Sequence, residues 1–114
     1  MLKIELEQTG ATLCGRALQR GAEVGRAEAE ICGDTIRYRS GWLEDPEDYG
    51  LLDGLVRAVF DAARTAGVTY YDIPDEAAGE YRRAFEVYDY ALDQAEELER
   101  FFARHNCKGQ SSGF

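Results

Sequence analysis

The sequence predicts one α+β domain, with an antiparallel meander of strands first and helices packed around one further strand after it. Two observations carry this. Apolar residues alternate with polar ones along residues 2–40, and from Leu51 the spacing changes to that of a helix. The chain has 114 residues, room for one stable core but not for two.

Leu2, Ile4 and Leu6 alternate with Lys3, Glu5 and Glu7, the pattern of a half-buried strand. Thr9-Gly10-Ala11 has turn chemistry, residues 12–18 read as a second strand, and Arg20-Gly21-Ala22 turns the chain again. Ala27, Ala29 and Ile31 then alternate with Arg26, Glu28 and Glu30, and Gly25 near the start of this strand marks a place for a bulge. Gly33-Asp34 is a two-residue hairpin signal, after which Ile36, Tyr38 and Ser40 alternate with Thr35, Arg37 and Arg39. The acidic stretch Glu44-Asp45-Pro46-Glu47-Asp48 breaks the pattern. Behind it Leu52, Leu55, Val56, Val59, Phe60 and Ala63 form one helical stripe, which Gly67 ends. Residues 68–73 are β-branched and aromatic and stop at Pro74, so a fifth strand is expected there. Asp75 is placed to cap a helix over 76–87, and Asp93 to cap a last helix whose apolar face is Leu98, Phe101 and Phe102. From Lys108 the composition is that of a loop. The domain is expected to occupy 1–107, with a flexible tail over 108–114.

Composition narrows the function. With 45% hydrophobic and 11% aromatic residues the chain can fill a core, so disorder is not expected outside the ends. No apolar run is long enough to span a bilayer, and the N-terminus has no apolar signal core. The net charge of −9 argues against nucleic acid, whose phosphates need a basic surface. It suits a basic protein partner, although acidity also serves solubility. Cys14, Cys32 and Cys107 form no CxxC pair, and the single histidine, His105, completes no zinc site with them. Cys14 and Cys32 read as small apolar strand residues, and a reducing cytoplasm is the consistent setting. Cys107 beside Lys108 is the one thiol whose surroundings favour thiolate. Glu44, Asp45, Glu47 and Asp48 lack the spacing of a calcium loop, so a solvated, helix-capping turn accounts for them without a metal.

The stretch from Gly50 to Val68, ending Ala63-Arg64-Thr65-Ala66-Gly67-Val68, resembles the central helix of the GNAT acetyltransferases and its "A-R-x-x-G-V" ending. Phe85-Glu86-Val87-Tyr88-Asp89-Tyr90 is similar to that superfamily's "Y-E-K-L-G-F". Together with the order of elements, the resemblance covers roughly residues 11–92. It implies a GNAT-like mixed sheet with C-terminal helices. It also implies a loop, Q/R-x-x-G-x-G/A, whose bare N–H groups hold the pyrophosphate of acetyl-CoA at a helix start. The matching positions here are Glu47, Gly50 and Leu52, of which Gly50 alone agrees. The family's usual general acid, a tyrosine, aligns with Phe85, and Tyr81 and Tyr88 are the nearby replacements. The family's helices between the first two strands are missing, because a few residues join Leu6 to Thr12.

Two unit charges about 5 Å apart at an effective dielectric near 20 repel by roughly 3 kcal/mol. Micromolar binding is worth only about 8 kcal/mol in total. The acidic turn is therefore expected to cost most of the affinity for a pyrophosphate, and Leu52 to cover the backbone cradle. The expectation is a GNAT-like protein that is vestigial or non-catalytic and acts by binding a partner or by self-assembly. A homodimer is suggested by Trp42, Tyr70 and Tyr71, read as aromatics on a sheet face that another chain covers. The alternative is an active acetyl-CoA-dependent N-acetyltransferase with an atypical loop. There the amides of Gly50, Leu51 and Leu52 would hold the cofactor, and Tyr81 or Tyr88 would protonate the leaving thiolate.

Overall fold

Alternating residues build strands β1 (Leu2–Thr9), β2 (Thr12–Gln19), β3 (Ala22–Cys32) and β4 (Thr35–Leu43), each antiparallel to the one before. Helix α1 (Tyr49–Thr65) crosses over to β5 (Tyr70–Asp72), which runs parallel to β4. Two short helices follow, α2 (Asp75–Ala78) and α3 (Arg82–Val87), then a two-residue strand β6 (Glu96–Glu97) and helix α4 (Leu98–Ser112). The strands form one six-stranded mixed sheet in sequence order. The computed structural model describes the backbone of residues 1–112 and the side chains of residues 1–105. Helix α4 runs on through 108–112, where a tail of loop composition is expected, and the thiol of Cys107 falls outside the described side chains.

Where α1 meets the sheet, the floor is made of small residues. Gly15, Ala27 and Gly41 are cross-strand neighbours on β2, β3 and β4, and Ala17 and Gly25 form the adjacent row. A Cβ on Gly15 would stand 3.1 Å from Val59 Cγ2, and one on Gly25 would stand 3.1 Å from Leu55 Cδ1. The helix therefore lies close, and its stripe of Leu52, Leu55, Val56, Val59, Phe60 and Ala63 is fully buried. On the far side of α1 an aromatic cluster continues the core, with Phe60 5.0 Å from Tyr71 and Tyr90 4.7 Å from Phe101 between ring centres. Leu98, Phe101 and Phe102 of α4 are buried in it as their spacing predicts.

The packed face carries the core, and the other face of β1–β4 is wet. It carries Lys3, Glu5, Arg16, Arg26 and Glu30, with exposed ion pairs such as Arg26–Glu23 at 2.8 Å. Pairs of this kind contribute little to stability, about 0–1 kcal/mol.

Two bulges set which residues face inward. Val24 is the extra residue of β3, next to Gly25 as the sequence predicts. Arg39 is the extra residue of β4, and it reverses the alternation there. Gly41 and Leu43 turn toward α1, while Ser40 turns to solvent.

Three boundaries differ from expectation. The helix expected over 76–87 is broken at Gly79, whose φ of 52° ends α2 before a single 3-10 turn leads into α3. Asp75 does not cap it. Pro74 holds the cap position, and the Asp75 N–H donates to Asp93 Oδ1 at 2.7 Å. Asp93 likewise does not start the last helix: it sits at φ 60°, and Glu96–Glu97 pair with Tyr70 and Tyr71 before α4 begins. Glu96 is held there by side-chain bonds. Tyr71 Oη donates to it, and Arg104 reaches its two carboxylate oxygens at 2.6 and 3.2 Å. Burial alone would raise the Glu96 pKa, but hydrogen bonds from Arg104 and Tyr71 bring it below its ordinary value.

The small-residue floor makes a direct test. Gly15→Val should lower stability by about 1–3 kcal/mol through overpacking against Val59. Gly54→Ala, on α1 where an added Cβ meets nothing within 4 Å, should raise it by about 0.5–1 kcal/mol. Urea denaturation of both variants measures the pair. Equal effects would show that the helix does not rest on the glycines.

Candidate functional site

The first turn of α1 is where a helix start could hold an anion, and the chain closes much of it with its own groups. Asp48 is the N-cap: its Oδ1 accepts the Leu51 N–H at 3.2 Å. Its backbone carbonyl accepts from Leu51 at 3.1 Å and from Leu52 at 3.4 Å. Upstream, Asp45 Oδ1 accepts the Glu47 N–H at 3.1 Å, and Asp45 O accepts the Asp48 N–H at 3.0 Å. Of the three candidate amides, Leu51 and Leu52 are engaged. Gly50 is the one with no acceptor among the described residues.

Leu52 does not cover this turn. Its side chain is buried beneath the helix, where Leu52 Cδ1 would lie 3.1 Å from a Cβ on Gly41. Its helical spacing with Leu55, Val56 and Val59 takes it to the sheet. What stands over the turn is carboxylate, with Glu44, Asp45, Glu47 and Asp48 all exposed. A groove of about 870 Å³ opens beside them. Leu2, Ile4, Val24 and Leu51 form its apolar side, and Asp45 and Asp48 its acidic side. Among the described residues, no three His, Cys, Asp or Glu side chains are gathered to hold a metal ion.

The two candidate tyrosines are in different places. Tyr88, half-buried after α3, brings its hydroxyl to Gly50, 3.3 Å from where a Cβ would be. The structure therefore joins Tyr88 and Gly50, as their separate places in the sequence could not show. Tyr81 is buried, and its hydroxyl accepts the Leu43 N–H at 3.1 Å, tying the short helices to the end of β4. Phe85 is 1% exposed and packs edge-on to Tyr38 at 5.0 Å. These residues occupy the ground beyond the parallel β4–β5 pairing, at the carboxyl ends where an open sheet usually receives a ligand. Tyr38 completes the plug. Its buried hydroxyl has no partner among the described residues, and burial, then the nearby Tyr81, push its pKa well up. Nothing in the sequence signals this filling, since it depends on the break at Gly79.

Tyr71 does not belong to an exposed aromatic face. It is fully buried, accepts the Ala91 N–H at 2.9 Å and points into the core, leaving Trp42 exposed on the wet face. The Cys14 thiol pKa is pushed up by burial and then by Glu28. Among the described residues no helix is long and apolar enough to cross a membrane.

A mixed sheet in sequence order, with a central helix crossing between a parallel pair, is the fold this chain shares with solved N-acetyltransferases. Solved acetyltransferases are among the structures it resembles. They include the ribosomal-protein-S18-alanine N-acetyltransferase from Escherichia coli (TM-score 0.57, 17% identity, 72% of this chain and 54% of that one). The IAA acetyltransferase from Bacillus cereus aligns with TM-score 0.53 and 16% identity over 68% of this chain and 53% of its own. The PaiA N-acetyltransferase from Thermoplasma acidophilum, solved in complex with coenzyme A, gives TM-score 0.50 and 12% identity over 55% and 40%. The chain thus spans about half the length of these enzymes or less, and at such identities the likeness is one of fold. No protein-family model matches the sequence, and no curated protein matches it.

Tyr81→Phe removes the acceptor of a buried N–H and should cost about 1–3 kcal/mol of stability. Tyr88→Phe, at a half-buried position, should stay within about 0.5 kcal/mol. Denaturation curves for the two variants check this. Equal stability in both would deny Tyr81 its structural role.

Proposed function

We propose that this chain is a GNAT-fold protein that does not transfer acetyl groups and that works in the cytoplasm by binding, to a basic protein surface or to a second copy of itself. One observation carries the reading. The helix start that would receive a pyrophosphate is capped by the chain's own Asp48 and ringed by further carboxylates. An anion arriving there would displace an internal hydrogen bond and meet the like charges of Glu44, Asp45 and Asp48 in the adjoining groove. The leaving-group side supports the same reading. Phe85 has no proton to give, and Tyr81 is buried with its hydroxyl on a backbone amide. The residues present do not fit acetyl-CoA.

The second reading is an acetyl-CoA-dependent N-acetyltransferase with an atypical loop. It is favoured by the coenzyme A complex of the Thermoplasma protein and by the meeting of Tyr88 with Gly50. In that case the Gly50 N–H would face the pyrophosphate and Tyr88 would supply the proton.

Calorimetry with acetyl-CoA at low salt separates the two. The binding protein should give no heat of saturable binding at micromolar concentrations. A dissociation constant in the low micromolar range would overturn the proposal and establish the enzyme reading in its place.

A further inference from the structure

Strand β1 is the free edge of the sheet, and it lacks some of the features that usually protect an edge. It is eight residues long, has no proline, and pairs with β2 without a bulge from Leu2↔Gln19 to Thr9↔Thr12. Its apolar residues lie on the helix-covered face, opposite Ala17 and Gly15, but α1 does not reach far enough to bury them. Leu2, Ile4 and Leu6 remain 48%, 39% and 47% exposed.

The backbone of these residues is open as well. A two-residue turn makes Thr9 and Thr12 a hydrogen-bonded pair, and bonding alternates from there along the ladder. The N–H and C=O groups of Leu6, Ile4 and Leu2 therefore point away from β2, toward the edge.

Charge selects what can pair with this edge. In an antiparallel pairing of β1 with the β1 of a second copy, one register places Ile4 opposite Ile4, Leu2 opposite Leu6 and Lys3 opposite Glu5. By the two-fold symmetry each of the last two pairs occurs twice. Moving the centre to Glu5 sets Glu5 against Glu5, moving it to Leu6 sets Glu5 against Glu7, and moving it to Lys3 sets Lys3 against Lys3. Intermediate registers put apolar residues opposite charged ones and mismatch the bonding positions. Among the registers centred on Lys3, Ile4, Glu5 and Leu6, the Ile4-centred one alone puts no like charges opposite one another.

We propose that two copies of this chain pair through β1 in that register, forming one continuous twelve-stranded sheet. The six exposed apolar side chains become a single strip on the helix-covered face, and the two Lys3–Glu5 pairs flank its centre on the opposite, wet face. This deepens the binding reading given above and names the surface of self-assembly.

Sedimentation of the full chain at physiological salt should give twice the chain mass of 12.8 kDa. Ile4→Lys, Lys3→Glu and Glu5→Lys should each return the mass to that of one chain, with far-ultraviolet circular dichroism reporting that each variant is folded. Lys3→Glu combined with Glu5→Lys in one chain should restore the dimer. Mixing the two single variants should also restore it, as a heterodimer, because every facing pair is then opposite in sign. A wild-type monomer at high protein concentration, which would leave the edge to some other occupant, overturns the proposal. So does a dimer indifferent to these charges. Acetyl-CoA calorimetry is read separately. A monomer without coenzyme binding defeats the pairing alone, and a β1 dimer that binds acetyl-CoA defeats the non-catalytic reading alone.

Discussion

The close seating of α1 on glycine and alanine governs how the rest of the chain is arranged. Because Gly15, Gly25, Ala27 and Gly41 leave little side-chain height, Leu55 and Val59 come close to the sheet backbone. Large residues are displaced to the far flank of the helix, where Phe60, Tyr71, Phe85, Tyr90 and Phe101 interlock in edge-to-face and tilted pairs. That flank gives the C-terminal half its anchor. The short strand β5, the broken helices and α4 all insert aromatic side chains there, and the network of Tyr71, Glu96 and Arg104 fastens the end of the sheet.

The same seating fixes where the N-terminus of α1 emerges, and so what chemistry its first turn meets. The turn opens beside β1 and the acidic residues 44–48, rather than into a cleft between β4 and β5. That second region is taken by Tyr81, Phe85 and Tyr38. A helix start is an attractive place for an anion only while its N–H groups are free and the surrounding potential is favourable. Asp48 lowers the first and its acidic neighbours oppose the second. The fold of an acetyltransferase is thus compatible with a protein that binds without catalysis, since function resides in the site and not in the fold.

Much of the fold was legible in the sequence because its signals are local. The meander follows from period two and glycine turns, and α1 from a stripe that runs unbroken from Leu52 to Ala63. What was hidden depends on distant contacts. Glu96 and Glu97 have no strand character, and they pair with β5 because Arg104 and Tyr71 hold Glu96. Gly10, Gly21, Gly25 and Gly33 read as turns or a bulge, whereas Gly15 and Gly41, which carry no such signal, serve by lacking a side chain under α1. At the candidate site the acidic ring was visible as composition. The inward aim of Leu52 was also implicit in its place on the helical stripe, whereas the cap made by Asp48 and the approach of Tyr88 to Gly50 were not, because each is a matter of direction, which spacing alone does not give.

The central claim is that the first turn of α1 is occupied by the chain itself. Nitrogen-15 amide spectra recorded while coenzyme A is added test it residue by residue. The Gly50, Leu51 and Leu52 amide signals should stay in place, with the Leu51 amide protected from solvent exchange by the Asp48 carboxylate. Saturable shifts concentrated on those three amides would contradict it.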